Sequence, residues 1–148
     1  MRPATVAYGA AVVLAGLVLL TAACGAPDRA SLATFAGGWS GHDRGLSITK
    51  SGAGSEEWLS SCCHVVIEMK FQLSNPRGTS RSAAATATVT FARVRDKTWF
   101  TKADPPPHVG QTATLVLRDS VLTEPLVGAS YCGPDAKAAS DGLSPCGA

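Results

Sequence analysis

Histidine and cysteine are the residue types in this 148-residue chain best suited to chemistry, with three and five copies respectively. His42 precedes Asp43, and a histidine beside a carboxylate is typical of a general base. Adjacent side chains on a strand point to opposite faces, however, so His42 would need a more distant carboxylate. We therefore interpret His42, His64 and His108 as polar surface residues and predict no catalytic residue.

Cys62-Cys63-His64 is the next candidate, because thiolate and imidazole ligands suit copper or zinc. Contiguous ligands fan out along an extended chain instead of converging on one ion. The sequence therefore predicts no metal site here and no cofactor. Glu56 and Glu57 are interpreted as solvated charges that flank a turn.

Catalytic motifs with a defined spacing are missing from the sequence. It contains no Gly-x-Ser-x-Gly elbow, no His-Glu-x-x-His, no phosphate-binding Gly-Lys-Ser/Thr loop and no calcium loop of alternating carboxylates. These absences favour a protein that is not an enzyme. The alternative is an exported hydrolase or metal-dependent enzyme that uses His42 or His64 in a cleft.

The N-terminus has the features of an export signal: basic Arg2, then an uncharged apolar run from Ala4 to Leu20. Small residues follow at positions 21–23, directly before Cys24. Ala4 to Ala23 is also about the length that spans a bilayer, so an uncleaved transmembrane anchor is the alternative to a cleaved signal.

Leu20-Thr21-Ala22-Ala23-Cys24 resembles the lipobox of bacterial lipoproteins, with Thr21 where the family usually has leucine. The resemblance implies cleavage before Cys24, a diacylglyceryl thioether on its sulfur and acylation of its new amino group. It also implies a location on the outer face of the cell membrane, with the membrane as a partner held through this lipid.

Cleavage would remove 23 of the 148 residues and leave 125, which is one domain by length. The formal charge of +2 would fall to +1, because Arg2 is the only charged residue removed. A nearly neutral chain does not favour nucleic acid as a partner. We predict a signal peptide over 1–23, a short lipidated tether over 24–34 and one domain over 35–148.

Four cysteines remain once Cys24 is assigned to lipid, an even number in an oxidising compartment. A bond between the neighbours Cys62 and Cys63 would be strained, because their side chains point to opposite sides of an extended chain. We therefore predict that Cys62 and Cys63 each bond to one of Cys132 and Cys146, in either combination.

Alternation of apolar and polar residues predicts strands throughout the domain. The clearest runs from His64 to Leu73, and a turn is expected at Asn75 to Gly78. Ala85 to Val94 and Gln111 to Arg118 follow the same pattern. The fold class is therefore all-β, a small antiparallel meander curled into a barrel or sandwich after the N-terminal signal helix.

Gly37-Gly38-Trp39 at the start of this domain resembles the first strand of up-and-down barrels such as lipocalins and avidins. The interior of such a barrel, lined by one face of the clearest strand, could hold a small apolar ligand, although small barrels are more often filled by their own side chains. That predicted inward face carries Val65, Ile67, Met69, Phe71 and Leu73. We expect Trp39, His42 and Trp58 as ligand-facing candidates, against the alternative that Trp39 fills one end of the core.

The chain after the signal is similar to small exported actinobacterial lipoproteins of the mycobacterial and streptomycete kind, through Trp39 to His42, Cys62-Cys63 and Tyr131 to Pro134 among other segments. This similarity implies a location in the envelope and no reaction. We expect a membrane-anchored lipoprotein whose disulfide-tied β-domain binds a small apolar ligand or an envelope protein.

Overall fold

The structure is a computed structural model, and it describes residues 28–60, 63–134 and Cys146. The predictions made for residues 1–27, including the signal peptide and the lipidated Cys24, lie outside the described residues. The same is true of Cys62.

The described residues form a closed barrel in which each strand pairs antiparallel with the next in chain order. The prediction of an all-β antiparallel meander is confirmed, and the barrel is the form it takes. The strands are β1 (Gly37–Gly41), β2 (Arg44–Ile48), β3 (Ala53–Ser60), β4 (His64–Gly78), β5 (Ser82–Val94), β6 (Thr112–Arg118), β7 (Val121–Glu124) and β8 (Ala129–Cys132).

Two short 3₁₀ helices, Leu32–Phe35 and Lys97–Trp99, accompany the strands. In the part of the chain that the structure describes, no helix has the length and apolarity needed to cross a bilayer.

The barrel interior is filled by side chains at every second position of the strands. On β4, the predicted inward face supplies Met69, Phe71 and Leu73, each at most 2% exposed. On β5, Val89 pairs with Phe71 and Ala87 pairs with Leu73, and the alanines Ala83, Ala85 and Ala87 are also buried. Small side chains beside large ones let a narrow barrel fill without voids, as close packing requires.

The predicted turn at Asn75 to Gly78 is wrong, because β4 continues through these residues to Gly78. Asn75 adopts a left-handed φ of 50°, and the register with β5 shifts between Ser74 and Arg77. A local bulge of this kind takes up extra residues without reversing the chain. The chain turns at residues 79–81 instead, where the amide of Thr79 donates to the carbonyl of Ser82.

The barrel closes at a seam between β1 and β8, where the register joins Ser40 to Cys132. Cys132 forms a disulfide with Cys146, with 5.6 Å between their Cα atoms, so the predicted bonding of these two cysteines to Cys62 and Cys63 is wrong. The amide of His42 also donates to the carbonyl of Cys146 at 3.0 Å. The C-terminal cysteine is therefore held across the seam.

The barrel has two distinct ends, because the connections of a meander alternate between them. The β1–β2, β3–β4, β5–β6 and β7–β8 connections lie at one end, here named the upper end. The first 3₁₀ helix enters β1 at the opposite, lower end, where Phe35 is buried. The preceding residues are fixed there too, since the amide of Ala30 donates to the Gly78 carbonyl at 3.0 Å.

Gly54 on β3 gives a direct test of this packing. The Phe71 ring lies over it, and a Cβ atom at Gly54 would be 2.2 Å from the ring carbon Cε2. We expect Gly54→Ala to lower the free energy of unfolding by about 2–3 kcal/mol, as overpacking of a filled core does. Gly45 on β2 is the matched control, because a Cβ atom there meets nothing within 4 Å. Equal urea midpoints for the two variants would contradict the packing described.

Candidate functional site

A recess of about 530 Å³ opens at the upper end of the barrel and is the candidate site, here named the upper recess. Its floor and walls come from the start of β2, the end of β3, the second 3₁₀ helix and the β8 edge. The lining residues used below are His42, Asp43, Arg44, Trp58 and Trp99.

Arg44 is the charged centre of the upper recess. Arg44 is the first residue of β2, on the same face of the strand as the buried Leu46 and Ile48, and its side chain is half-buried. Its Nη1 donates to the Val127 carbonyl at 3.0 Å, and its Cζ lies 4.2 Å from the centre of the Trp58 ring. Among the described residues, no carboxylate lies within ion-pairing distance of this guanidinium. Arg44 is therefore held by an aromatic face and a carbonyl, without a close counter-ion.

Trp58 is fixed in turn by the aromatic residues of the β5–β6 connection. Its ring centre lies 5.5 Å from that of Trp99 and 5.8 Å from that of Phe100, both in edge-on geometry. Such edge-to-face contacts stabilise an aromatic pair beyond the burial of area. Trp99 keeps 50% of its surface exposed, so it forms an accessible wall of the recess.

Three polar side chains are buried inside the barrel near Arg44. Glu56 is 4% exposed, and Glu124 and Tyr131 are fully buried. The Tyr131 hydroxyl donates to Oε1 of Glu56, while Oε2 of Glu56 has no hydrogen-bond partner among the described residues. Glu124 accepts the backbone amides of Leu126 and Val127, which fixes the β7–β8 turn.

Burial sets the protonation of these groups. Loss of water, reinforced by the nearby Glu124 charge, raises the pKa of Glu56 from 4.5 to about 8, against the lowering effects of the Tyr131 hydrogen bond and Arg44. Burial also raises the pKa of Glu124, with two backbone amides and the nearby charge of Arg44 opposing it. The pKa of Tyr131 is raised by burial and by Glu56. Glu56 is therefore mainly a neutral acid at pH 7 and leaves the positive charge of Arg44 in place.

The sequence-predicted site residues are divided between the core and the recess. Trp39 lies in the core, where its indole N–H donates to the Phe35 carbonyl at 3.0 Å. Trp58 and His42 line the upper recess. His64 and His108 are exposed. The structure thus brings two of the three ligand-facing candidates together.

The expectation that His42 and Asp43 point apart is wrong, because they form a turn and not a strand. Asp43 has a left-handed φ of 53°. Its Oδ2 lies 3.4 Å from Nε2 of His42, and both side chains are solvent-exposed, at 44% and 73%. The pair therefore sits at the rim of the recess in contact with water.

Glu56, Glu124 and Tyr131 were missed by the sequence analysis, and the interpretation of Glu56 as a solvated charge is wrong. The available signal was the alternation of inward and outward positions along the strand. Glu56 lies two residues from both Gly54 and Trp58, so all three share the inward face of β3. Its neighbour Glu57 is exposed, as the alternation requires. In the described part of the chain, no group of three or more His, Cys, Asp or Glu residues is placed to hold a metal ion.

No family model, curated protein or solved structure matches the chain.

The raised pKa of Glu56 predicts a stability that depends on pH. The folded state keeps this proton up to about pH 8, whereas the unfolded chain loses it near 4.5, so the stabilisation is complete below 4.5 and is lost as pH rises through 8. We expect the free energy of unfolding to fall between pH 5 and 8. Glu56→Gln should make the decrease of the free energy of unfolding with pH less steep, by up to about 1.4 kcal/mol per pH unit.

Urea unfolding at several pH values would measure this effect. Glu57→Gln is the matched control, because the neighbouring side chain is exposed and its replacement should leave the slope unchanged. Parallel slopes for Glu56→Gln and the wild-type protein would show that Glu56 does not hold the proton.

Proposed function

We propose that this chain is a lipid-anchored extracytoplasmic protein whose barrel acts as a binding module, with the upper recess directed away from the membrane. One observation carries the orientation: the chain that leads from the lipobox-like segment is fixed to the lower end. The amide of Ser80 donates to the Asp28 carbonyl at 3.2 Å, and Arg29 pairs with Thr79 in a β-bridge.

The distance from the proposed lipid is short. Asp28 lies four residues after Cys24 in the sequence. Four residues span at most about 14 Å even when fully extended. A lipid on Cys24 would therefore keep the lower end near the membrane surface, and the upper recess would face the envelope space.

The recess suits a binding role. Its volume of about 530 Å³ falls in the ordinary range of small-molecule sites, roughly 300–1,000 Å³. It combines aromatic walls with the charged side chains of Arg44 and Asp43, and a few polar groups among apolar ones are the usual composition of a ligand pocket. Because core side chains pack the barrel interior, the proposal places the ligand in this recess and not among them.

The anchor can be tested by the intact mass of the protein extracted from membranes. We expect a chain that begins at Cys24 and carries the added mass of its acyl groups. Cys24→Ala should lose that added mass, and Cys63→Ala, an exposed cysteine in the domain, should retain it. An unmodified chain that begins at Met1 would contradict lipidation and favour the transmembrane anchor.

A second candidate function, an exported hydrolase, is favoured by one observation: the His42–Asp43 contact at the recess rim. The binding proposal expects no His42-dependent turnover, since both side chains are exposed to water. The purified protein should therefore hydrolyse ester and glycoside substrates no faster than His42→Ala. Turnover that is lost in His42→Ala and kept in His108→Ala would favour the hydrolase.

A further inference from the structure

We propose that the upper recess binds a carboxylate carried on a flat, partly apolar body, with Arg44 holding the carboxylate and Trp99 covering the body. This inference rests on the proposed binding function and adds the chemical class of the ligand.

Arg44 has donors available for such a ligand. Nη1 is used by the Val127 carbonyl, and the described residues supply no hydrogen-bond acceptor for Nε or Nη2. The described residues also place no carboxylate in an ion pair with Arg44. A planar guanidinium offers parallel N–H groups that match the two oxygens of a carboxylate. A half-buried guanidinium without an ion pair in an open recess therefore points to an anionic ligand.

The guanidinium is also held in position before any ligand arrives. Trp58 supports its face at 4.2 Å, and Trp58 is itself held by Trp99 and Phe100. The hydrogen bond to the Val127 carbonyl fixes one edge. A side chain fixed in this way loses little conformational entropy on binding, which favours affinity.

The charges around the recess favour a single negative charge. Arg44 is the one arginine or lysine among the residues described as lining it, and Asp43 places a carboxylate on the rim. A phosphate dianion would lack a second cation there and would be repelled by Asp43 more strongly than a singly charged carboxylate. A carboxylate carries one charge and matches the single guanidinium.

The aromatic walls define the body of the ligand. Trp99 is half-exposed beside Trp58, so a flat ligand face can pack against it and bury apolar area. An aromatic acid and an acidic sugar both join a carboxylate to such a face. Both share the proposed chemistry, and binding measurements can separate them.

Isothermal titration calorimetry on the full chain extracted in detergent would test this, with benzoate and glucuronate as probes. Benzamide and glucose are the neutral analogues, and inorganic phosphate is the competing anion. We expect saturable binding of at least one carboxylate at one site per chain. The neutral analogues and phosphate should bind at least tenfold more weakly.

Arg44→Lys keeps the positive charge but removes the planar fork, so carboxylate affinity should fall tenfold or more. Arg93→Lys is the matched control, because Arg93 is exposed on β5 outside the recess, and its affinity should stay within twofold of wild type. Trp99→Ala removes the proposed cover of the ligand body and one of the two edge-on contacts of Trp58, so it should weaken binding several-fold. Its exposed position provides a second test if Arg44→Lys lowers the thermal midpoint.

Absence of carboxylate binding, a preference for phosphate, or equal affinities for the Arg44→Lys and Arg93→Lys variants would overturn the inference. None of these results bears on the lipid mass at Cys24. Failure of the ligand class is therefore distinguishable from failure of the anchored-protein proposal.

Discussion

Closure of the barrel at the β1–β8 seam is the constraint on which the other features depend. Within the described residues the register across this seam joins Ser40 to Cys132 alone. A short contact of this kind leaves most of both edges without ladder hydrogen bonds, and a disulfide from Cys132 to Cys146 reinforces it. The bond closes a loop of 14 residues, for which chain entropy gives roughly 3 kcal/mol.

A closed ring of eight strands has a narrow interior, and the side chains divide it into an apolar and a polar region. The lower and middle parts are filled by aromatic and aliphatic residues together with the buried alanines of β5. Near the upper end the inward-facing strand positions are occupied by polar residues instead, namely Glu56, Glu124 and Tyr131. The carboxyl groups of Glu56 and Glu124 are buried away from water, and this burial raises the pKa of each. Barrel closure thus controls both the packing and the electrostatics of the site.

The fold was largely predictable because alternation is a property of local sequence. The inward residues Met69, Phe71 and Leu73 of β4 could be identified from their spacing alone. The position of the β4–β5 turn could not, because Asn75 and Gly78 suit a bulge as well as a turn. The disulfide pairing could not be predicted from the sequence either, because it depends on which strands meet at the seam.

The recess was only partly predictable, because its electrostatics arise from residues distant in sequence. Trp58 and His42 were candidates, but Arg44 gains its role from Val127, which lies 83 positions away. Burial keeps a proton on Glu56, a consequence that no motif records, so Glu56 does not neutralise the nearby guanidinium. The described residues satisfy Nη1 of Arg44 through the Val127 carbonyl, and the side chain lines the recess, where solvent or a ligand can reach its other donors.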